Sequence, residues 1–227
     1  MPIGFQRWRS LLFMHWPVAE AALRPLVPPE LSIDLYDGLA YLGVTPFLVY
    51  GARPANLPAP LGLQFPEVNV RTYVHVEGAD PGVYFFSLDA RSLTTLAAAR
   101  AFVGLRYFPA QMRFSQRDGI MEYQARRLAG RRPRLRVQFE PGEPLGTAPL
   151  GSLDHFLIER YLAHAKRSNG LLTVPLHHRP YALQRARILV HKNELIAADG
   201  LPALAEPAPF THCAAGLDVE IFSPRRR

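Results

Sequence analysis

From Glu67 to Val76 the sequence alternates between two kinds of side chain. A β-strand sends successive side chains to opposite faces. Val68, Val70, Thr72, Val74 and Val76 therefore share one face, while Glu67, Asn69, Arg71, Tyr73 and His75 share the other. β-Branched residues at every second position are the pattern of a strand with at least one buried face. The other face carries a carboxylate, an amide, a guanidinium, a phenol and an imidazole, where a wet face usually carries scattered Lys, Thr or Ser. Burying such a row costs several kcal/mol unless its members satisfy one another or a ligand. Two environments fit: a solvated face with a ladder of ion pairs, or the wall of a polar cavity.

The rest of the chain reads as a mostly β protein. Its 22 prolines break it into short elements. Arg9 to His15 reads as a strand, and Pro17 to Leu26 as a short helix. Asp37-Gly38 and Asp118-Gly119 each sit between apolar runs, as tight hairpins do. Ala79 to Gly82 is expected to turn the polar strand into a second one, Val83 to Ala90. Arg53 to Pro66 reads as a long irregular loop leading into the polar strand, and such loops often cover sites. Two helices are expected: Leu93 to Val103, between Ser92 and Gly104, and Leu153 to Ala165, capped by Ser152. Ala182 to Ile196 and Leu217 to Phe222 read as strands. Many antiparallel strands with few helices favour a closed or nearly closed sheet, since closure removes edges. The expectation is one α+β domain over residues 1–227, built on a barrel, with a frayed tail at about 223–227.

Composition narrows the function classes. No apolar run is long enough to span a membrane, and the start of the chain lacks a signal-peptide pattern, which predicts a cytoplasmic protein. Cys213 is the single cysteine, so an internal disulfide and a multi-cysteine metal site are excluded. The net charge is +7, and of 26 basic residues only Lys166 and Lys192 are lysine. The densest basic stretch, Arg126 to Arg136, alternates as a half-buried strand with a basic outer face. It lacks the stacking platform or recognition helix of a nucleic-acid module. No nucleophile elbow, phosphate loop, dinucleotide fingerprint or zinc-protease motif occurs. The eight histidines show no metal-ligand spacing. No metal and no cofactor are predicted.

Several segments resemble a known family. Phe65-Pro-Glu-Val-Asn-Val-Arg-Thr-Tyr-Val, Gly82-Val-Tyr-Phe-Phe-Ser-Leu-Asp-Ala and Ala99-Arg-Ala-Phe-Val-Gly-Leu-Arg-Tyr-Phe resemble the YqjF-like family. So do Leu11-Leu-Phe-Met-His-Trp-Pro-Val and Ser152-Leu-Asp-His-Phe-Leu-Ile-Glu-Arg-Tyr. The resemblance runs from about Trp8 to Val219. That family is of unknown function and is similar to a branch of the acetoacetate decarboxylase-like superfamily. The implied fold is a cone-shaped antiparallel β-barrel with surrounding sheet, a few helices and a pocket inside.

The resemblance fails at the chemistry of true decarboxylases. Glu67 falls on their carboxylate and Arg100 on the arginine of their G-R-E helix end. Their two lysines fall on Tyr107 and Phe108, and Arg106 stands where a proline belongs. A Schiff base needs a deprotonated amine, and tyrosine cannot form an imine. The resemblance therefore implies a surviving pocket without Schiff-base decarboxylation.

The leading expectation is a small-molecule pocket protein acting on a small carboxylate or keto acid. Arg71 is the expected anion clamp, because a guanidinium makes two parallel hydrogen bonds to a carboxylate. Asn69 orients, Glu67 is the general base, and Tyr107 donates from the old lysine site. Arg9, aligned with an N-terminal substrate-binding arginine of the decarboxylases, is a second candidate clamp. Three other readings stay open. The first is an internal Glu67–Arg71 ion pair bridged by Asn69. The second is a non-catalytic binding or sensor protein using the same cavity. The third is a binder of anionic surfaces through the Arg126 to Arg136 patch. The expected partner is a small anionic or carbonyl-containing ligand, with no membrane and no dedicated nucleic acid. A homo-oligomer is compatible with the sequence.

Overall fold

The computed structural model describes residues 1–91, 105–168 and 170–226. Among these, thirteen strands form one sheet. The strands are β1 (Gly4–Val18), β2 (Ser32–Ile33), β3 (Ala40–Pro54), β4 (Leu63–Val76), β5 (Ala79–Ala90), β6 (Tyr107–Arg117) and β7 (Ile120–Arg127). They continue with β8 (Arg134–Gly146), β9 (Leu162–Arg167), β10 (Gly170–His177), β11 (Leu183–Asn193), β12 (Phe210–Ile221) and β13 (Arg225–Arg226). The described helices are short: α1 (Glu20–Leu23), α2 (Leu153–Ile158) and α3 (Leu195–Ala198). The expected helix Leu93 to Val103, with Arg100, lies outside the described residues.

The strand order is β13-β10-β9-β5-β6-β7-β8-β11-β12-β1-β3-β4-β2, with β5 also paired to β4 and β10 to β12. These extra pairings turn the sheet back on itself, so that β1, β3, β4, β5, β9, β10 and β12 run round a common interior. The ring is partial, because β10 and β12 share only the pairs Leu176↔Ile221 and His177↔Glu220. Most neighbours are antiparallel; β5 pairs in parallel with β6 and β9.

β4 is central to this arrangement. It is paired on both edges, to β3 and to β5, and is buried on both faces. Val68, Val70 and Val74 pack into one apolar cluster with Met14, Leu42 and Phe86. Tyr73 belongs to a second cluster on the opposite face, with Phe13, Phe47 and Leu88. The alternation therefore separates two interiors, which rules out the solvated-face reading of Glu67, Asn69 and Arg71.

Several local expectations are corrected. The turn after β4 falls at Glu77 and Gly78, both in the left-handed region with φ 48° and 79°. A two-residue hairpin loop of this hand matches strand twist, and it frees Ala79 to Gly82 to begin β5. Asp37-Gly38 does turn the chain, but only a Tyr36↔Leu39 bridge closes it, since β2 pairs with β4. The Pro17 to Leu26 helix is one turn of α-helix followed by a 3-10 turn at Arg24–Leu26. The long loop shrinks to residues 55–62, because β3 reaches Pro54 and β4 starts at Leu63. The helix expected over Leu153 to Ala165 stops at Ile158, although Ser152 Oγ caps it by accepting from His155 N at 3.1 Å. Leu162 to Arg167 instead pairs along its whole length with β10. Ala163 and Ala165 have helix propensity, and the ladder outweighs it.

The basic stretch is not one exposed patch. Arg134 and Arg136 are exposed, with Arg136 paired to Glu122 at 2.6 Å, but Arg127 is buried. Arg127 Nε donates to Asp89 Oδ1 at 2.9 Å and its Nη1 to Asp199 Oδ1 at 2.9 Å; Ser87 also bonds Asp199. This cluster ties β5 and β7 to the end of α3. Removing one partner of a buried ion network strands the other charges. Arg127→Met is expected to cost about 3–5 kcal/mol in denaturant unfolding, with partial recovery when Asp89→Asn is added.

Candidate functional site

A cavity of about 230 Å³ lies inside the partial ring, lined by side chains from β1, β3, β4, β5, β6, β9, β10 and β12 and from the end of α2. Its polar lining includes Thr45, Glu67, Asn69, Arg71, Tyr107 and Arg160, together with Gln6 and Tyr181. Glu67, Asn69 and Arg71 reach it together because they occupy every second position of β4. They are 5%, 5% and 9% exposed, so their charges and dipoles must be satisfied within the interior.

Glu67 and Tyr107 form one unit. Tyr107, the first residue of β6, donates its hydroxyl to Glu67 Oε2 at 3.0 Å. Burial pushes the Glu67 pKa up to about 7; the Tyr107 hydrogen bond opposes the rise and the charge of Asp89 adds to it. Burial also holds the Tyr107 phenol well above its ordinary value, reinforced by the neighbouring Glu67. A carboxyl group poised near neutrality can both take and return a proton.

Arg71 is built differently. Its Nη2 donates to the Leu157 carbonyl at 3.3 Å, an oxygen that also accepts from Tyr73 Oη at 2.7 Å. The guanidinium carbon lies 5.8 Å from the ring centroids of both Phe13 and Tyr73. Among the described residues no carboxylate forms an ion pair with Arg71. Its buried Nε has no hydrogen-bond partner there, nor do the nearby Asn69 Oδ1 and Thr45 Oγ1. The Glu67–Arg71 pair considered from sequence is therefore absent. Gly43 makes the placement of Arg71 possible. It pairs with His15 on one side and Arg71 on the other, and a Cβ there would lie 3.1 Å from the His15 ring and 3.3 Å from Arg71 Cγ.

Arg9 is not at this cavity. Gln6 and Trp8 line it, so Arg9 points to the opposite face of β1. There it borders a separate surface groove, pairing with Asp218 at 2.8 Å and donating to the Leu217 carbonyl at 2.7 Å. The second arginine lining the cavity is Arg160, just after α2, which the sequence reading did not single out. Arg160 is already paired, with Asp34 at 2.6 Å, and stacks 4.2 Å from the Phe156 ring. His15 was also missed. Both its ring nitrogens are buried without a partner among the described residues, and burial, then the Arg71 charge, hold it neutral.

Neither lysine lines the cavity: Lys166 pairs with Glu30, and Lys192 is exposed on β11. The described residues contain no group of three or more His, Cys, Asp or Glu side chains placed to hold a metal ion, and no helix among them is long and apolar enough to cross a membrane.

Residues 5–218 match the model of DUF2071, a family of uncharacterized conserved proteins. The chain belongs to that family. It is 37% identical over 223 residues to the uncharacterized protein YqjF of Bacillus subtilis (strain 168), a match that covers 98% of this chain and 91% of YqjF. Solved structures of the same fold include the enduracididine biosynthesis enzyme MppR in complex with pyruvate. Its TM-score is 0.69 at 13% identity, covering 100% of this chain and 91% of that one. An acetoacetate decarboxylase-like enzyme from Sphingomonas wittichii RW1 matches with a TM-score of 0.63 at 14% identity, covering 100% and 94%. This DUF2071 chain thus has the acetoacetate decarboxylase-like fold, with a tyrosine carboxyl-bonded in its interior.

The raised Glu67 pKa gives a stability signature. The unfolded chain releases this proton near 4.5 and the folded chain near 7, so the folded state binds more protons between those values. Stability is expected to fall as pH rises from 4.5 to 7, by at most about 3 kcal/mol, and to level off above. Glu67→Gln should remove that contribution in urea unfolding measured across pH, leaving the part due to Asp89, whose carboxyl burial also raises to about 7.

Proposed function

We propose that this protein binds a small carboxylate or keto acid in the interior cavity and acts on it by proton transfer, without a Schiff-base lysine. The reading rests above all on Arg71, a buried guanidinium in the cavity wall with no carboxylate partner among the described residues. An uncompensated buried cation is costly, and a ligand carboxylate supplies the missing charge through two parallel hydrogen bonds. Asn69 and Thr45 offer further polar atoms to orient it. Glu67, held near neutrality, is the proton acceptor, and Tyr107 keeps its carboxyl oriented. That MppR, a protein of this fold, binds pyruvate supports a small keto acid as the ligand class.

Small keto and hydroxy acids are expected to raise the melting temperature, because a ligand that binds only the native state stabilises it by mass action. Arg71→Lys should weaken that response although it keeps the charge, and Arg71→Met should abolish it. Proton exchange at the carbon next to the ligand carbonyl, followed by deuterium uptake, would mark Glu67 as a working base. Binding with no exchange and no conversion would assign the cavity to a non-catalytic binding or sensor role. No response to any acid would overturn the reading.

No imine is expected at any stage. Borohydride treatment with a β-keto acid should leave the protein mass unchanged, whereas a stable adduct on Lys166 or Lys192 would contradict the assignment.

A further inference from the structure

The two ends of the polar row are far apart, and much of the wall around them is apolar, although Asn69 lies between them on the strand with Thr45 opposite it. Glu67 and Arg71 lie four residues apart on one strand, about 13 Å along its axis. Arg71 lies across Gly43, with its Cγ and Nε 3.3 and 3.4 Å from the position of an added Cβ, and its head group is held by the Leu157 carbonyl. Glu67 sits opposite Phe47 on one side and Ala90 on the other, and holds Tyr107. The apolar part of the cavity wall includes Leu11, Phe47, Val83, Phe85, Leu88 and Ile158. At about 230 Å³ the cavity is smaller than the usual range of roughly 300–1,000 Å³ for drug-sized ligands.

We propose that the cavity takes a two-headed acid: a carboxylate at Arg71, an apolar middle the size of one aromatic ring, and a hydroxyl or carbonyl oxygen at the Glu67–Tyr107 pair. This deepens the reading above and rests on it. A compact acid such as pyruvate or acetoacetate held at Arg71 leaves most of the apolar wall uncovered. A ring covers the wall, and its far substituent meets a carboxyl that accepts a hydrogen bond when ionised and donates one when protonated. The polar ends fix the orientation of the ligand, and the wall selects its length.

Calorimetric titration with four probes tests this: pyruvate, acetoacetate, 3-phenylpropanoate and 3-(4-hydroxyphenyl)propanoate. Both ring-bearing acids are expected to bind at least about tenfold more tightly than the two compact ones, as apolar pocket contacts allow. The para-hydroxyl should add a further factor of about five through its hydrogen bond. Arg71→Met should lose all binding. Glu67→Leu should remove the advantage of the hydroxyl, so that the two ring-bearing acids bind alike; Tyr107→Phe asks the same question where Glu67→Leu fails to fold. If the compact acids bind as tightly as the ring-bearing ones, the two-headed ligand is wrong and the keto-acid reading stands. If the ring-bearing acids bind equally well to Arg71→Met, the assignment of their carboxylate is wrong. If no probe binds at millimolar concentration, both readings fall.

Discussion

A strand buried on both faces normally carries apolar side chains on both, because each ionisable group taken from water costs several kcal/mol. β4 breaks that rule at three alternate positions, and the arrangement of the interior follows from it. Its valines pack into one apolar cluster, while Glu67, Asn69 and Arg71 enter the other interior side by side. Each of the three meets a different local solution. Glu67 accepts a hydrogen bond from a phenol, while burial moves it toward its neutral form. Arg71 is left with one carbonyl and two aromatic rings. Asn69 keeps an unpartnered oxygen among the described residues. A network built purely for stability would close such gaps internally.

The electrostatics of the two ends complement one another. At the Glu67 end burial favours a proton on the carboxyl group and raises its pKa to about 7. At the other end a fixed positive charge sits among Phe13, Tyr73 and a neutral His15. Arg160 adds a second guanidinium but spends it on Asp34. The cavity therefore presents one uncompensated cation and one adjustable proton site. That combination fits binding a carboxylate and moving a proton elsewhere on the same molecule.

The polar strand was legible in the sequence because a period of two over ten residues leaves little freedom in which side chains share a face. Tyr107 was legible only through resemblance, since nothing local marks it as facing Glu67. Arg9 was misplaced for a geometric reason. Ser10 has a φ of 53° and interrupts the pairing of β1, so the cavity-facing positions switch from Gln6 and Trp8 to Leu11 and Phe13. No reading of spacing locates that switch. Arg160 escaped notice because the segment was read as a helix continuing to Ala165, whereas the chain leaves the helix after Ile158 to pair with β10. His15 reads as part of an apolar run, and its proximity to Arg71 arises only across Gly43 on β3.

Glu67 and Arg71 are not each other's partners, as the proposal that Arg71 holds a ligand requires. A double-mutant cycle measures this directly, from the unfolding free energies of wild type, Glu67→Gln, Arg71→Met and the double variant without ligand at pH 8. Additivity within about 0.5 kcal/mol is expected, as for residues that do not interact. A coupling well above 1 kcal/mol, with the double variant recovering most of the loss seen in Arg71→Met, would identify an internal ion pair and contradict the account.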